Sequence, residues 1–258
     1  MKTTFSNKEI QPSPISKVLK SCLDDVLHND FFSEIKNQKI SLKGYQLFVK
    51  EKYSAVGYFI QLLEQAERLS ENVSHDLAEV FRNNRLDELG YFAGKIKHEY
   101  RHETWRLRSL ELFGITKKDL KGLQITTSRK HEDIMVGLSK SKDIFEVIGA
   151  LLFLELFVVY EMKNLIAAFE RDLSKLFPKS GYSYDRFPFN QQEYWYGHAL
   201  HDTWHYRAIE EAVLANLGTG KEKKKSLQSL ERGIKKVCLA KKNLYSKKLL
   251  VAMIKAEK

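Results

Sequence analysis

Apolar positions recur along most of the chain at three- and four-residue intervals, the spacing of one face of an α-helix. From Ile15 to Leu27 they define a first helix, and Asp30 or Ser33 can open a short second one. Ser41 is a good N-cap for a long helix to about Leu69, along which Leu47, Phe48, Val56, Phe59, Ile60 and Leu63 share a face. The pattern continues from Val73 to Arg82 and from Leu86 to Phe113, with Gly90 and Gly94 marking a distortion and Gly114 suited to a C-cap. Thr116-Lys-Lys-Asp has the form of a helix start. The stretch from Ser141 to Leu176 is helical in pattern and strongly apolar.

Pro178 to Pro188 is the clearest loop, rich in Gly, Ser and Pro. Asn190 can cap a helix that runs through Leu217 and ends at Gly218-Thr-Gly, and Lys221 to about Glu257 forms a last, basic helix. No strand pair, hairpin turn or internal repeat is apparent. The expectation is an all-α, single-domain helical bundle: a polar leader over 1–14, a helical domain over 15–220, and a basic helix over 221–258 packed on the same domain.

Composition narrows this picture. The chain has 258 residues, 43% hydrophobic and 29% charged, the balance of an ordinary globular protein. Thirteen glycines and four prolines are few for that length and leave room for long helices. The two cysteines, Cys22 and Cys238, form no C-x-x-C pattern and suit a reducing, cytoplasmic setting. Val147 to Tyr160, the most apolar run, is too short to span a bilayer and carries Glu155 in its middle, so no membrane span is expected. The net charge of +10 comes largely from Lys221–Lys225 and from Lys235 onward, without aromatic–basic interleaving. A solvated basic helix accounts for it, and no specific nucleic acid is expected as a partner.

The chemistry concentrates in Tyr194-Trp-Tyr-Gly-His-Ala-Leu-His-Asp-Thr-Trp-His205. His198, Asp202 and His205 fall at i, i+4 and i+7 and share a stripe of about 60° with Trp195, Ile209 and Ala212. Arg207, Glu210, Glu211 and Thr203 fall on the other side, and His201 lies off the stripe's centre, in a supporting position. Three ionisable groups facing a core call either for a metal ion or for hydrogen bonds among themselves and nearby tyrosines. Three ligands on one stripe favour the ion, and imidazole with carboxylate suits iron, manganese or zinc.

Glu155, in Leu151-Leu-Phe-Leu-Glu-Leu-Phe-Val-Val, needs a cation, a hydrogen-bonding partner or a raised pKa; Glu161 is a weaker alternative. Leu86 to Trp105 holds Glu88, His98, Glu99 and His102. Read as one helix, Glu88 and His102 lie two heptads apart and within about 40° of each other, while Glu99 and His102 form an i, i+3 pair. A solvated mixed-charge helix is the competing reading for His98 and Glu103.

These segments together resemble the heme-oxygenase-like diiron oxidases, over roughly residues 40 to 215. That family's last core helix carries His-x3-Asp-x2-His, as His198, Asp202 and His205 do. Glu155 matches the Glu of its middle core helix, and Glu88, Gly90, His102, Trp105 and Gly114 match its earlier one. His98 keeps the family's usual Glu-x9-His spacing from Glu88, whereas His102 lies one turn further and keeps the register to Gly114, so both remain candidates. Glu64 is the nearest match to a further Glu found in some members. The resemblance implies a heme-oxygenase-like fold and two metal ions (iron/iron or iron/manganese) held by Glu88, His102, Glu155, His198, Asp202 and His205, with His98, Glu64 and Glu99 as alternatives. It also implies an O2-dependent oxidoreductase acting on a small organic molecule such as a fatty acid, an amino acid or an aromatic precursor. An electron donor would be needed, and a homodimer is compatible with the fold.

Tyr53, Tyr58, Tyr91 and Tyr160 are candidates to line the substrate pocket, or ordinary core aromatics. The alternatives to an oxygenase are a metal-free, thiamin-salvage-type or heme-binding relative, and an interaction protein using its basic C-terminal helix. A salvage hydrolase would need a nucleophilic cysteine near the cluster, and neither Cys22 nor Cys238 is on a helix expected there.

Overall fold

The computed structural model describes residues 12–55, 58–120, 126–177 and 191–256. They form eleven α-helices and one two-stranded ribbon. The central element is α8 (Ile144–Asp172), which is apolar nearly all round and buried accordingly. Asp143 caps it, its side chain accepting the backbone N–H groups of Phe145 and Glu146. Two long helices, α9 (Glu193–Ala215) and α10 (Gly220–Leu244), pack along it. Around this trio lie α1 (Ser16–Leu27) on α10 and α8, α3 (Leu42–Ala55) against α7 (Thr126–Ser139), and α4 (Phe59–Ser70) against α8.

The crossing of α8 and α10 is close because glycine faces backbone on both sides. A Cβ on Gly149 would stand 2.1 Å from the Leu230 carbonyl oxygen, and one on Gly233 would stand 1.9 Å from that of Glu146. At the far end of α8, the Asp172 carboxylate accepts the Tyr45 hydroxyl at 2.7 Å and the Ile40 backbone N–H at 3.0 Å. These bonds set α3 beside the C-terminal half of α8, which brings Lys52 against Glu161.

Three long helices expected from the pattern are each broken. Leu42 to Ser70 divides into α3, which ends at Ala55, and α4, which begins at Phe59; Val56 and Gly57 lie outside the described residues. The last, basic helix stops at Leu244, and Ser246 caps α11 (Lys247–Lys255). At that break Tyr245 turns inward and its hydroxyl donates to Glu161. The third break shapes the site. Helix α5 (His75–Glu88) ends two residues before Gly90, and the chain turns back through a ribbon, β1 (Tyr91–Phe92) and β2 (Lys95–Ile96), where no hairpin was expected. Ala93 and Gly94, the two residues between the strands, both have positive φ, as a tight hairpin turn requires. After a 3-10 turn at His98–Tyr100, α6 (His102–Leu112) begins.

Thr116-Lys-Lys-Asp opens only a 3-10 turn at Lys117–Leu120. The loop from Pro178 to Pro188 and the cap at Asn190 lie outside the described residues. Helix α10 packs on α8, α7 and α1, with Lys221 and Lys223–Lys225 exposed. No helix among the described residues is long and apolar enough to cross a membrane.

Candidate metal centre

The reversal at Gly90 brings His102 back to Glu88. With φ of +76°, Gly90 adopts a conformation other residues reach only under strain. A Cβ there would also meet the Arg101 nitrogen and the Lys97 carbonyl oxygen, each at 2.6 Å. The first residue of α6 therefore sits against the last residue of α5, with His102 Nδ1 2.7 Å from Glu88 Oε1. The sequence pairs these residues as neighbours two heptads apart on one helix; they meet instead across a chain reversal. Gly90→Ala is expected to destabilise the protein by roughly 2–3 kcal/mol through strain and backbone clash together. Urea unfolding measures this, and a variant as stable as its parent would contradict the tight reversal.

Helix α9 supplies the second group. The His198–Asp202–His205 stripe faces inward, with Asp202 buried and the two histidines mostly so. His198 Nδ1 lies 2.7 Å from Asp202 Oδ2. Trp195 and Ile209 are buried on the same stripe, while Arg207 and Glu211 are exposed. Glu210, assigned by its register to the outer side, is buried and accepts the Ser13 hydroxyl at 2.8 Å. The His201 side chain lies outside the described residues.

Glu155 comes from α8, opposite this stripe. It is 3% exposed, and its Oε1 has no hydrogen-bond donor among the described residues. The nearest cationic group is His205, whose Nδ1 is 3.7 Å away. Ligand atoms of Glu155, Asp202 and His205 all lie within 4.8 Å of one another. Beside them stand Glu88, His102 and His198, the two imidazoles edge to face at 5.2 Å between centroids. Trp105 stacks on His102 at 4.6 Å. Three helices and one helix start thus gather all six candidates, and five of them line one cavity of about 370 Å³ with His205 directly behind.

The electrostatics are those of a site crowded with acid. Burial pushes Glu155 up to about 7. Burial also opposes a charged His102, but the Glu88 carboxylate outweighs it and raises that imidazole to about 9. His205 is raised too, by Glu155 and by Asp87, whose Oδ2 lies 3.3 Å from Nε2. A buried carboxylate oxygen with no donor, next to a second carboxylate and an imidazole, is the donor set of a divalent cation, so these residues fit metal ions.

Three alternatives from the sequence do not reach the cluster. Glu64 and His98 are exposed, and Glu99, partly buried in the 3-10 turn, is not on the cavity wall. Glu161 is fully buried but belongs elsewhere, its Oε1 accepting both Lys52 Nζ and the Tyr245 hydroxyl. None of Tyr53, Tyr58, Tyr91 and Tyr160 lines the cavity; Tyr194 does. Cys22 and Cys238 pack together between α1 and α10, off the cavity, with Cys238 Sγ 3.4 Å from the Cys22 carbonyl oxygen. Sequence reasoning missed Asp87, which looks like any acid in a charged helix end. It also missed Lys52, His131 and Lys241, which line the cavity; only Lys241 had a signal, its register with the apolar stripe of α10.

No protein-family profile and no curated protein sequence matches the chain. Solved structures do. A domain of unknown function with a heme oxygenase-like fold from Shewanella denitrificans OS217 superposes with a TM-score of 0.67 at 12% identity, over 92% of this chain and 93% of that one. A CADD-like protein of unknown function from Nostoc punctiforme PCC 73102 superposes with a TM-score of 0.65 at 15% identity, over 95% of this chain and 96% of that one. The chain is an all-α bundle with the heme-oxygenase-like fold.

Proposed function

We propose that this protein is a non-heme dinuclear metal oxidase or oxygenase, binding two iron ions, or iron and manganese, and using O2 to oxidise a small organic molecule. The observation that carries this reading is Glu155: a buried carboxylate whose Oε1 lacks a donor, within ligand distance of Asp202 and His205. Glu155, Asp202 and His205 would hold one ion, and Glu88, His102 and His198 would hold the other. Reduced, the ion pair would supply electrons to O2, which an external donor must restore.

The protein's own groups prepare that chemistry. Asp87 faces the His205 nitrogen turned away from Glu155 and fixes the ring, as outer partners of metal-ligating histidines do. Trp105 fixes the plane of His102 in the same way, by stacking. Phe59, Ile60, Leu154 and Val158 line the cavity beside the cluster and exclude water from the reacting substrate.

Anaerobic titration of the metal-free protein with ferrous iron should show about two ions per chain, as the two ligand groups require. Ions and protons compete for these ligands. His102 is raised to about 9 and Glu155 to about 7, so both hold protons at pH 6; at pH 8 Glu155 has lost its proton, while His102 and the likewise raised His205 keep theirs. Uptake should therefore release protons and tighten as pH rises, by roughly tenfold per unit for each proton displaced. Equal affinity at pH 6 and pH 8, or no uptake at either, would contradict the assignment.

A further inference from the structure

The cavity has a second polar pole, opposite in charge to the first. Lys52 of α3, His131 of α7, Glu161 of α8 and Lys241 of α10 converge there, all less than a tenth exposed. Glu161 lies six residues beyond Glu155 on α8, so the poles are separated by ~9 Å along the helix axis. Apolar side chains of Met135, Leu154 and Val158 line the cavity with them.

The charges at this pole do not balance. Glu161 is engaged by Lys52 and by the Tyr245 hydroxyl. Lys241 has no carboxylate within ion-pair distance among the described residues, and its Nζ stands 5.4 Å from the centroid of the Phe157 ring. His131 is fully buried, and neither of its ring nitrogens has a hydrogen-bond partner among the described residues. Burial pulls Lys241 down to about 8, against the charge of Glu161, and holds His131 well below the usual histidine range, so its ring is neutral with one N–H to donate. Two ammonium groups repel a metal ion, so this pole is not a further metal site. A buried ammonium without a counter-ion, beside an unused imidazole donor, complements an anion with two acceptor oxygens.

We propose that Lys241 and His131 form an anion subsite that seats the carboxylate of an organic acid, whose apolar body lies along Leu154 and Val158 toward the carboxylate–histidine cluster. As a statement about the substrate it rests on the function proposed above; as a binding subsite it requires no metal. The cavity's size, at the lower end of small-molecule pockets, suits an acid with a short chain or a single ring.

The test is calorimetric titration of the full chain, freed of metal by chelation, with 4-phenylbutyrate and with its uncharged analogue 4-phenylbutanamide. The acid should bind more tightly than the amide. Lys241→Met should weaken the acid by roughly tenfold or more and leave the amide unchanged. His131→Phe, which keeps a ring in the same space, should also weaken the acid selectively. Thermal unfolding verifies that each variant is folded. If Lys241→Met does not fold, Lys241→Gln and His131→Phe carry the comparison. Equal binding of acid and amide, or acid binding indifferent to both substitutions, overturns the proposal. So does acid binding that appears only after ferrous iron is added, since the carboxylate would then sit on the metal; that outcome leaves the dinuclear reading intact. Selective acid binding by a protein that takes up no iron would sink the dinuclear reading and leave the subsite standing.

Discussion

Glu155→Ala is expected to bind far less iron than its parent while the metal-free fold holds. The carboxylate lies on the most buried helix, and its Oε1 accepts no hydrogen bond. With no ion present it is a cost to the structure, the reason its pKa climbs to about 7. Removing it therefore takes away little that stabilises the metal-free protein, beyond its contact with His205. It does take away one of three ligand atoms that converge within 4.8 Å. Loss of an outer partner of a metal ligand already costs 10–100-fold in affinity, so loss of the ligand itself should exceed about 100-fold. Elemental analysis should find about two iron ions per chain in the parent and at most about one in the variant. Glu64→Ala is the control, because Glu64 is exposed and off the cavity, and its iron content should equal the parent's. Full iron content in Glu155→Ala would remove the ground on which the metal centre stands.

The cavity wall carries two separate groups of buried charged side chains. Glu155 faces the Asp202–His205 end of α9, and Glu161 faces Tyr194. Helix α8 therefore contributes to both poles, the acid-rich one complementing cations and the lysine-rich one complementing an anion. A substrate spanning the two would be oriented before it reacts, and its position would be set by rigid helices, not by loops.

The carboxylate–histidine cluster was legible in the sequence where it lies on one regular element. His198, Asp202 and His205 share a helix face, and periodicity places them correctly relative to the core. Glu155 stood out because a charge inside an apolar run has few neutral explanations. Glu88 and His102 were paired through a continuous helix that does not exist, and the true cause, a positive-φ turn at Gly90, leaves only two scattered glycines as its trace. The second pole left no trace of that kind. Lys241 lies in a helix whose other lysines are largely exposed, and only the buried stripe of α10, running through Leu230, Ile234, Val237 and Leu244, turns it inward. Periodicity places Lys241 in that register, although its charge alone argues for exposure. Lys52 and His131 reach the cavity by tertiary packing of α3 and α7, which local pattern does not encode.

Gly233→Ala is expected to be among the most destabilising single-methyl additions in the protein. The new Cβ would lie 1.9 Å from the Glu146 carbonyl oxygen and 2.8 Å from the Ala150 nitrogen, both backbone atoms of the central helix. Backbone cannot rotate aside as a side chain can, so α10 must move away from α8. Moving it disturbs the packing of Leu230, Ile234 and Val237, all fully buried, and the 2.8 Å bond from the Ser229 hydroxyl to Asp143, which caps α8. A cost of roughly 3–5 kcal/mol follows from this clash and the lost contacts, a large share of a typical domain's stability. Urea denaturation should show the midpoint falling at unchanged slope, with Gly137→Ala as the control, since a Cβ on Gly137 meets nothing within 4 Å. Because Lys241 lies eight residues further along the same helix, a Gly233→Ala protein that still folds should also bind 4-phenylbutyrate more weakly, linking the helix crossing to the cavity. A Gly233→Ala protein within about 1 kcal/mol of its parent would mean that α8 and α10 do not cross in backbone contact, and the seat of Lys241 would have to be redrawn.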